Sequence, residues 1–339
     1  MKAIVFTQSG GSDVLRLVER PVPEPGAGEV RVAVRLSGVN PTDWKGRSGG
    51  RAGGRSAGEQ VPNQDGAGVV DAVGAGVDPA RLGQRVWIWE AAWQRTDGTA
   101  QEYVVLPEHQ AVPLPEHASF ELGASLGIPA MTAHRALTLA PGAPARLAPG
   151  ALAGRHVLVA GGAGAVGNAA IQLARWAGAT VLTTVSSPEK AKLAAAAGAH
   201  HVIDYRAEDA AAAVRALVPG GVDLVVEVAT AGNAALDVAV LAPGGAVAFY
   251  ATNSGDEVVL PVLELMVRNL TWSGVLIYTI PAEAKADAVA AIVAAVAEGA
   301  LRGGEEAGLP WHHYPLARTA DAHDAVEGAV VGKVLIDVG

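Results

Sequence analysis

Residues 155–187 read RHVLVAGGAGAVGNAAIQLARWAGATVLTTVSS, and this stretch constrains the fold more than any other. His156-Val157-Leu158-Val159-Ala160 is a short apolar run that stops at glycines, the form of a buried parallel strand. Gly162, Gly164 and Gly167 then give G-x-G-x-x-G, while Gly161, Gly164 and Gly167 give the related G-x-x-G-x-x-G. The first glycines permit a tight turn and a close backbone approach to a pyrophosphate, and Gly167 permits close packing of the following helix on the strand. Val166, Ala170, Leu173, Ala174 and Ala177 share one helical face, and residues 179–185 form a second strand. With 42 glycines in the chain, the spacing alone would decide little. The order of strand, turn, helix and strand points to a dinucleotide, its phosphates held at the helix N-terminus.

The end of the second strand bears on which dinucleotide. An Asp or Glu about 20 residues beyond the glycines normally holds a free ribose 2′-hydroxyl. Here the strand ends Thr183-Thr184-Val185-Ser186-Ser187, without a carboxylate, and Lys190 follows. Hydroxyls and a lysine suit a 2′-phosphate, which favours NADPH over NADH. The same residues also have the form of a helix start, with a serine N-cap, a first-turn proline and an acid.

Composition narrows the class. A chain of 339 residues suits two domains, and no apolar run reaches the roughly 20 residues of a membrane span. The N-terminal apolar segment is too short for a secretory signal, so cytoplasm is the expected location. The absence of cysteine excludes disulfides, thiol catalysis and thiolate zinc. A net charge of −9 argues against a nucleic-acid partner.

Residues 1–121 are β-rich: Val30, Val32, Val34 and Leu36 alternate with polar or small residues, and 69–74, 85–89 and 101–105 read as further strands of a β-barrel-like domain. Between them, residues 46–59 are so rich in glycine that the spacing of Arg47, Arg51 and Arg55 carries no helical meaning; a surface loop is expected, or a lid whose arginines meet phosphates. From 126 to 280 strands and helices alternate, with six strands ending at 270–277, which predicts a doubly wound parallel sheet. A helix over 282–301 and a strand over 333–338 follow. The domain boundaries expected are 1–125 with 281–339 for the β-domain and 126–280 for the α/β domain.

This layout resembles the medium-chain dehydrogenase/reductase family, in particular its zinc-independent, zeta-crystallin-like quinone oxidoreductases. The resemblance rests on Met1-Lys2-Ala3-Ile4, Gly38-Val39-Asn40-Pro41-Thr42-Asp43, Asp65-Gly66-Ala67-Gly68-Val69-Val70, Gly98-Thr99-Ala100-Gln101-Glu102-Tyr103, the glycine turn, Thr184-Val185-Ser186-Ser187 with Lys190, and Gly332-Lys333-Val334. It implies an α/β protein with a GroES-like β-barrel-like catalytic domain and a six-stranded Rossmann domain. Zinc-dependent relatives hold zinc with Cys, His and Cys, and the matching positions look like Asn40, Gln64 and Ile128, which make no metal site.

The resemblance further implies that Asn40 lies near the nicotinamide, with Asp43 and Thr132 close by, and that Ser186, Lys190 and Tyr205 meet the 2′-phosphate. Gly161, Gly162, Ala163, Gly164, Ala165, Val166, Gly167 and Asn253 complete the expected cofactor set. Similar quinone reductases carry a tyrosine two residues beyond the acidic position, where this chain has Trp44-Lys45. Lys45 donating a hydrogen bond, Trp44 stacking on a flat substrate, or protonation by solvent are the alternatives. Trp87 and Trp89 are candidates for a pocket wall, against core packing. Asn40-Pro41 and Asp43 also have a purely local reading as a turn and a cap.

The activity expected is NADPH-dependent, zinc-free reduction of a small quinone or α,β-unsaturated carbonyl compound by a homodimer. The rivals are an enoyl-thioester reductase on the same fold and a non-catalytic NADPH-binding sensor, RNA-binding or structural protein.

Overall fold

A computed structural model describes residues 1–50, 58–252 and 254–339. The N-terminal part of the chain holds β1 (Lys2–Val5), β2 (Arg16–Glu19), β3 (Glu29–Val39), α1 (Pro41–Arg47), β4 (Asp65–Val73), β5 (Arg85–Ile88), β6 (Tyr103–Pro107), β7 (Ala111–Pro113) and α2 (Phe120–Leu137). In β3 the alternation seen in the sequence buries Val30, Val32, Val34 and Leu36, and the three valines fill the core beneath the sheet with Val86, Ile88 and Leu106. Arg47, expected in a surface loop, is the last residue of α1 and is buried, because Asn40 and Pro41 start a helix there. Arg51 and Arg55 lie outside the described residues.

The α/β part follows with β8 (His156–Ala160), α3 (Ala165–Trp176), β9 (Thr180–Val185), α4 (Pro188–Ala196), β10 (His201–Asp204), α5 (Ala210–Leu217), β11 (Val222–Glu227), α6 (Thr230–Val240), β12 (Leu241–Phe249), α7 (Val262–Arg268), β13 (Thr271–Gly274) and α8 (Ala282–Ala297). Its six strands are all parallel, in the order β10-β9-β8-β11-β12-β13. This is the doubly wound sheet expected, with its switch point between β8 and β11. The sixth strand is shorter than the apolar run 270–277, since the chain leaves the sheet at Gly274 and turns over Ile277–Thr279. Helix α7 does not show in the sequence pattern: its apolar side chains face outward, and Leu263 is 73% exposed.

The chain closes with β14 (Trp311–Pro315), α9 (Thr319–Glu327) and β15 (Lys333–Asp337). Strand β15 pairs antiparallel with β3 and completes the seven-stranded sheet β14-β15-β3-β4-β5-β7, with β6 also on β3. The two compact units are Met1–Ile128 with Pro310–Gly339, and Pro129–Leu309. Residues 281–309, expected with the β-domain, therefore fall in the α/β unit. Two contacts show the physical reason: Asn168 of α3 donates to Ala307 O at 2.7 Å, and Arg302 N donates to Gln172 at 3.0 Å. No helix among the described residues is long and apolar enough to cross a membrane.

Candidate active site

In the α/β unit the glycines are dictated by contacts. Gly161 has φ 71°, in the left-handed region that a glycine enters without cost. A Cβ on Gly162 would stand 2.2 Å from Thr183 Oγ1, and one on Gly167 would stand 2.4 Å from Gly161 O. Gly164 differs: it is the N-cap of α3, and a Cβ there would meet nothing closer than Gly161 O at 3.5 Å. The turn is thus packed from beneath by Thr183, whose hydroxyl donates to Val159 O at 2.7 Å. Its upper face is left to the N–H groups at the head of α3, the arrangement that holds a pyrophosphate. The residues present fit a dinucleotide.

At the end of β9 the two readings of the serine pair coexist. Ser187 caps α4 by accepting from Lys190 N at 3.3 Å. Lys190 Nζ meanwhile reaches back to Ser186 Oγ at 3.0 Å, so an ammonium and a hydroxyl stand together where a carboxylate would serve NADH. Tyr205, 51% exposed, hydrogen-bonds through its backbone to Val185 O. Asn253 lies outside the described residues.

The β-unit gathers a second cluster, around Asn40. This residue follows β3 and leads into α1, and it is buried with Asp43, Asp65 and Lys333. Asn40 Nδ2 donates to Asp65 Oδ2 at 2.7 Å, and Lys333 Nζ donates to Asn40 Oδ1 at 2.7 Å and to Asp65 Oδ2 at 3.2 Å. The Ile128 backbone N–H supplies Asp65 Oδ1 at 2.9 Å. Asp43, at the third position of α1, accepts the Asn40 backbone N–H on Oδ2 at 2.7 Å, so the local capping role is real. Its other oxygen is buried without a partner among the described residues.

These carboxyls carry unequal charge. Burial, and then the neighbouring Asp65, pushes Asp43 up to about 8, against the pull of the Asn40 and Gln64 backbone N–H groups and of Lys333. Burial also raises Asp65, while Lys333, the Asn40 amide and the Ile128 N–H hold it down. Asp65 with three donors is the better home for the negative charge, and Asp43 for the proton. Lys333 is legible in the sequence only as part of a terminal motif, because nothing in its own strand says that its ammonium enters the site.

The remaining expected residues are placed as follows. Thr132 is buried on α2. Lys45 lies with Nζ 5.7 Å from the Trp44 ring centroid. Trp87, 1% exposed on β5, is a core side chain, and Trp89 is buried edge-on against His109.

The fold and the two clusters define the medium-chain dehydrogenase/reductase class. Residues 26–116 match the alcohol dehydrogenase GroES-like domain, and 165–294 match the zinc-binding dehydrogenase domain. The chain is 31% identical to rat quinone oxidoreductase over 340 residues, covering 99% of this chain and 97% of that protein. It superimposes with a TM-score of 0.81 on the quinone oxidoreductase of Thermus thermophilus, solved also in complex with NADPH, at 30% identity and full coverage of both chains. An NAD-dependent alcohol dehydrogenase superimposes with a TM-score of 0.86 at 32% identity, again with full coverage of both. The chain belongs to the medium-chain dehydrogenase/reductase family, on the quinone oxidoreductase branch.

The name of the second matched domain raises the question of zinc, and the donor set answers it. Asn40 is engaged by Asp65 and Lys333, Gln64 Oε1 accepts from Ala92 N at 3.0 Å, and Ile128 brings only an aliphatic side chain. A lysine ammonium stands among these positions, so they do not fit a metal ion.

Proposed function

We propose that this chain is an NADPH-dependent, zinc-free reductase of small quinones or conjugated carbonyl compounds. The observation that carries the choice of cofactor is the Lys190–Ser186 contact at a strand end free of carboxylate. When bound, the cofactor supplies a hydride from its nicotinamide to an electron-poor carbon or oxygen. The glycine turn and the head of α3 hold the pyrophosphate, while Ser186, Lys190 and Tyr205 hold the 2′-phosphate. Asn40 and Thr132 position the reacting groups. Lys333 and Asp65 fix the Asn40 amide in one orientation, since one accepts from it and the other donates to it.

Selectivity is tested by titrating NADPH and NADH into the protein and into Lys190→Ala. Loss of one charge-assisted contact costs about 1.5–3 kcal/mol, or roughly 10- to 150-fold in NADPH affinity, with NADH affinity little changed. Equal affinity for the two cofactors, or an unaltered NADPH affinity in the variant, would refute this reading.

The same proposal includes a homodimer. Strand β13 is at one edge of its sheet, and Leu263, Met266 and Val267 of the preceding helix α7 are exposed. A second copy pairing at this edge would cover that apolar face. Leu263→Glu with Met266→Glu is expected to halve the mass found by sedimentation; a wild-type mass of 34.2 kDa would refute the dimer.

A further inference from the structure

We propose that the β-unit carries a second small-molecule site, an open hollow that takes an apolar amino acid in its zwitterionic form. The hollow measures about 420 Å³ and is lined by Arg35, Leu36, Phe120, Glu121, Asp337 and Val338, all within one compact unit. That volume falls in the roughly 300–1,000 Å³ range of small-molecule sites. None of these residues belongs to the glycine turn or to the Asn40 cluster, so the proposal stands apart from the reductase reading.

The backbone brings Arg35 there. Where β3 pairs with β4, Val34 is opposite Gly68 and Leu36 is opposite Ala67, so Arg35 is an extra residue between two successive pairs. Such a bulge bends the strand and re-aims a side chain, so that Arg35 and its neighbour Leu36 both reach the hollow. The Arg35 carbonyl accepts the Val338 N–H at 3.0 Å, which ties the bulge to the end of β15. Leu36 is also the strand partner of Asp337. Phe120, at the start of α2, packs against Leu36, Ala67, Ala124 and Leu335, and the Arg85 guanidinium stands 4.5 Å from its ring centroid. The walls are therefore two paired strands and a packed helix start, elements that hold their side chains in place before a ligand arrives.

Two opposite charges in the hollow are unspent. The Arg35 guanidinium has no hydrogen-bond or ion-pair partner among the described residues. Other arginines of the same sheet are engaged: Arg31 with Asp71 and Glu24, and Arg85 with the carbonyls of Pro115, Glu116 and Ala118. The Glu121 carboxylate likewise has no partner among the described residues; its backbone carbonyl takes the Ser125 hydroxyl at 2.7 Å. Asp337 is already paired through Oδ1 with His313 Nδ1 at 2.7 Å. Arg35 and Glu121 thus line one hollow without pairing with each other, above the apolar surface of Leu36, Phe120 and Val338. The ligand that completes this arrangement has a head bearing a carboxylate for Arg35 and an ammonium for Glu121, and an apolar side chain to cover the floor. A ligand of one charge leaves the other group unserved.

The test is titration of the full chain, followed by NMR, with L-phenylalanine, with 3-phenylpropionate, which lacks the ammonium, and with phenethylamine, which lacks the carboxylate. L-Phenylalanine is expected to bind saturably with a Kd of about 1 mM, the affinity of a ligand of this size on an open site. Each single-charge analogue is expected to bind about 3- to 10-fold more weakly. Arg35→Gln is expected to bring L-phenylalanine down to the affinity of phenethylamine, and Glu121→Gln to bring it down to that of 3-phenylpropionate. A general loss of structure cannot produce this crossed pattern. Absence of saturable L-phenylalanine binding up to about 20 mM, roughly 20-fold above that Kd, would overturn the proposal. Unchanged binding in both variants, or variants that weaken all three probes alike, would overturn it equally. A wild type that binds L-phenylalanine yet fails to oxidise NADPH would overturn the reductase reading and leave this site standing.

Discussion

Replacing Lys333 with Met leaves Asp65 fully buried without its cation. The ammonium and carboxylate are 3.2 Å apart, and at an effective dielectric of about 20 their attraction is about 5 kcal/mol. Methionine removes that attraction but also relieves the burial of an ammonium that is only 2% exposed. Asp65 keeps the Asn40 amide at 2.7 Å and the Ile128 N–H at 2.9 Å. The net loss expected is therefore about 3 kcal/mol, the low end for breaking a buried pair. Urea unfolding at pH 7, followed by circular dichroism, measures it. The pH dependence has a fixed sign. Loss of Lys333 raises the folded pKa of Asp65 further above its ordinary value of 3.8, so the deficit is smallest near that pH and grows as pH rises. Asp65→Asn with Lys333→Met removes both charges, and the double variant is expected to recover about 2 kcal/mol relative to the sum of the single losses. A loss below about 1 kcal/mol for Lys333→Met, or simple additivity in the cycle, would show that the pair is not coupled as described.

Two further outcomes are expected. Gly167→Ala drives a Cβ to 2.4 Å from Gly161 O and 3.0 Å from Gly162 Cα, backbone atoms that cannot swing aside; a loss of about 1–3 kcal/mol in thermal stability and weakened NADPH binding are expected, and a neutral variant would contradict the packed turn. Asp237 of α6 is buried with both oxygens lacking a donor among the described residues, and burial followed by the Glu227 carboxyl pushes it up to about 9. Its folded pKa exceeds the ordinary 3.8, so the stability it contributes as an acid is complete below that pH and is lost as pH rises through about 9. The melting temperature should then fall as pH rises from about 4 to about 9 and level off beyond, and Asp237→Asn should flatten that fall; an unchanged slope would show that Asp237 is not the group responsible.

The parts of the molecule that follow from local pattern are legible in the sequence. Residues 155–187 name their own strand, turn, helix and strand because each element satisfies its own periodicity and the glycines have one steric solution. The alternation of Val30, Val32, Val34 and Leu36 likewise fixes which face of β3 is buried. The failures have physical causes. Helix α7 hides its identity because its apolar residues are on the exposed face, so the usual sign of a buried stripe is missing. Residues 281–309 follow the last strand of the α/β sheet and look like a return to the β-domain, yet Asn168 and Gln172 of α3 hold their distal end by side-chain contacts that no periodicity records. In the site, Asn40 and Asp43 are visible as a helix cap. Lys333 is separated from Asn40 by 293 positions, and only the pairing of β15 with β3 brings them together.

The central claim is that this chain oxidises NADPH to reduce small electron-poor carbonyl compounds without a metal. The measurement that tests it most directly is the loss of NADPH absorbance with a simple quinone, run beside NADH and with a chelator in a parallel sample. Turnover that persists with the chelator and is at least about tenfold faster with NADPH is the predicted result. Tight NADPH binding with no oxidation, or turnover equal with NADH, would contradict it.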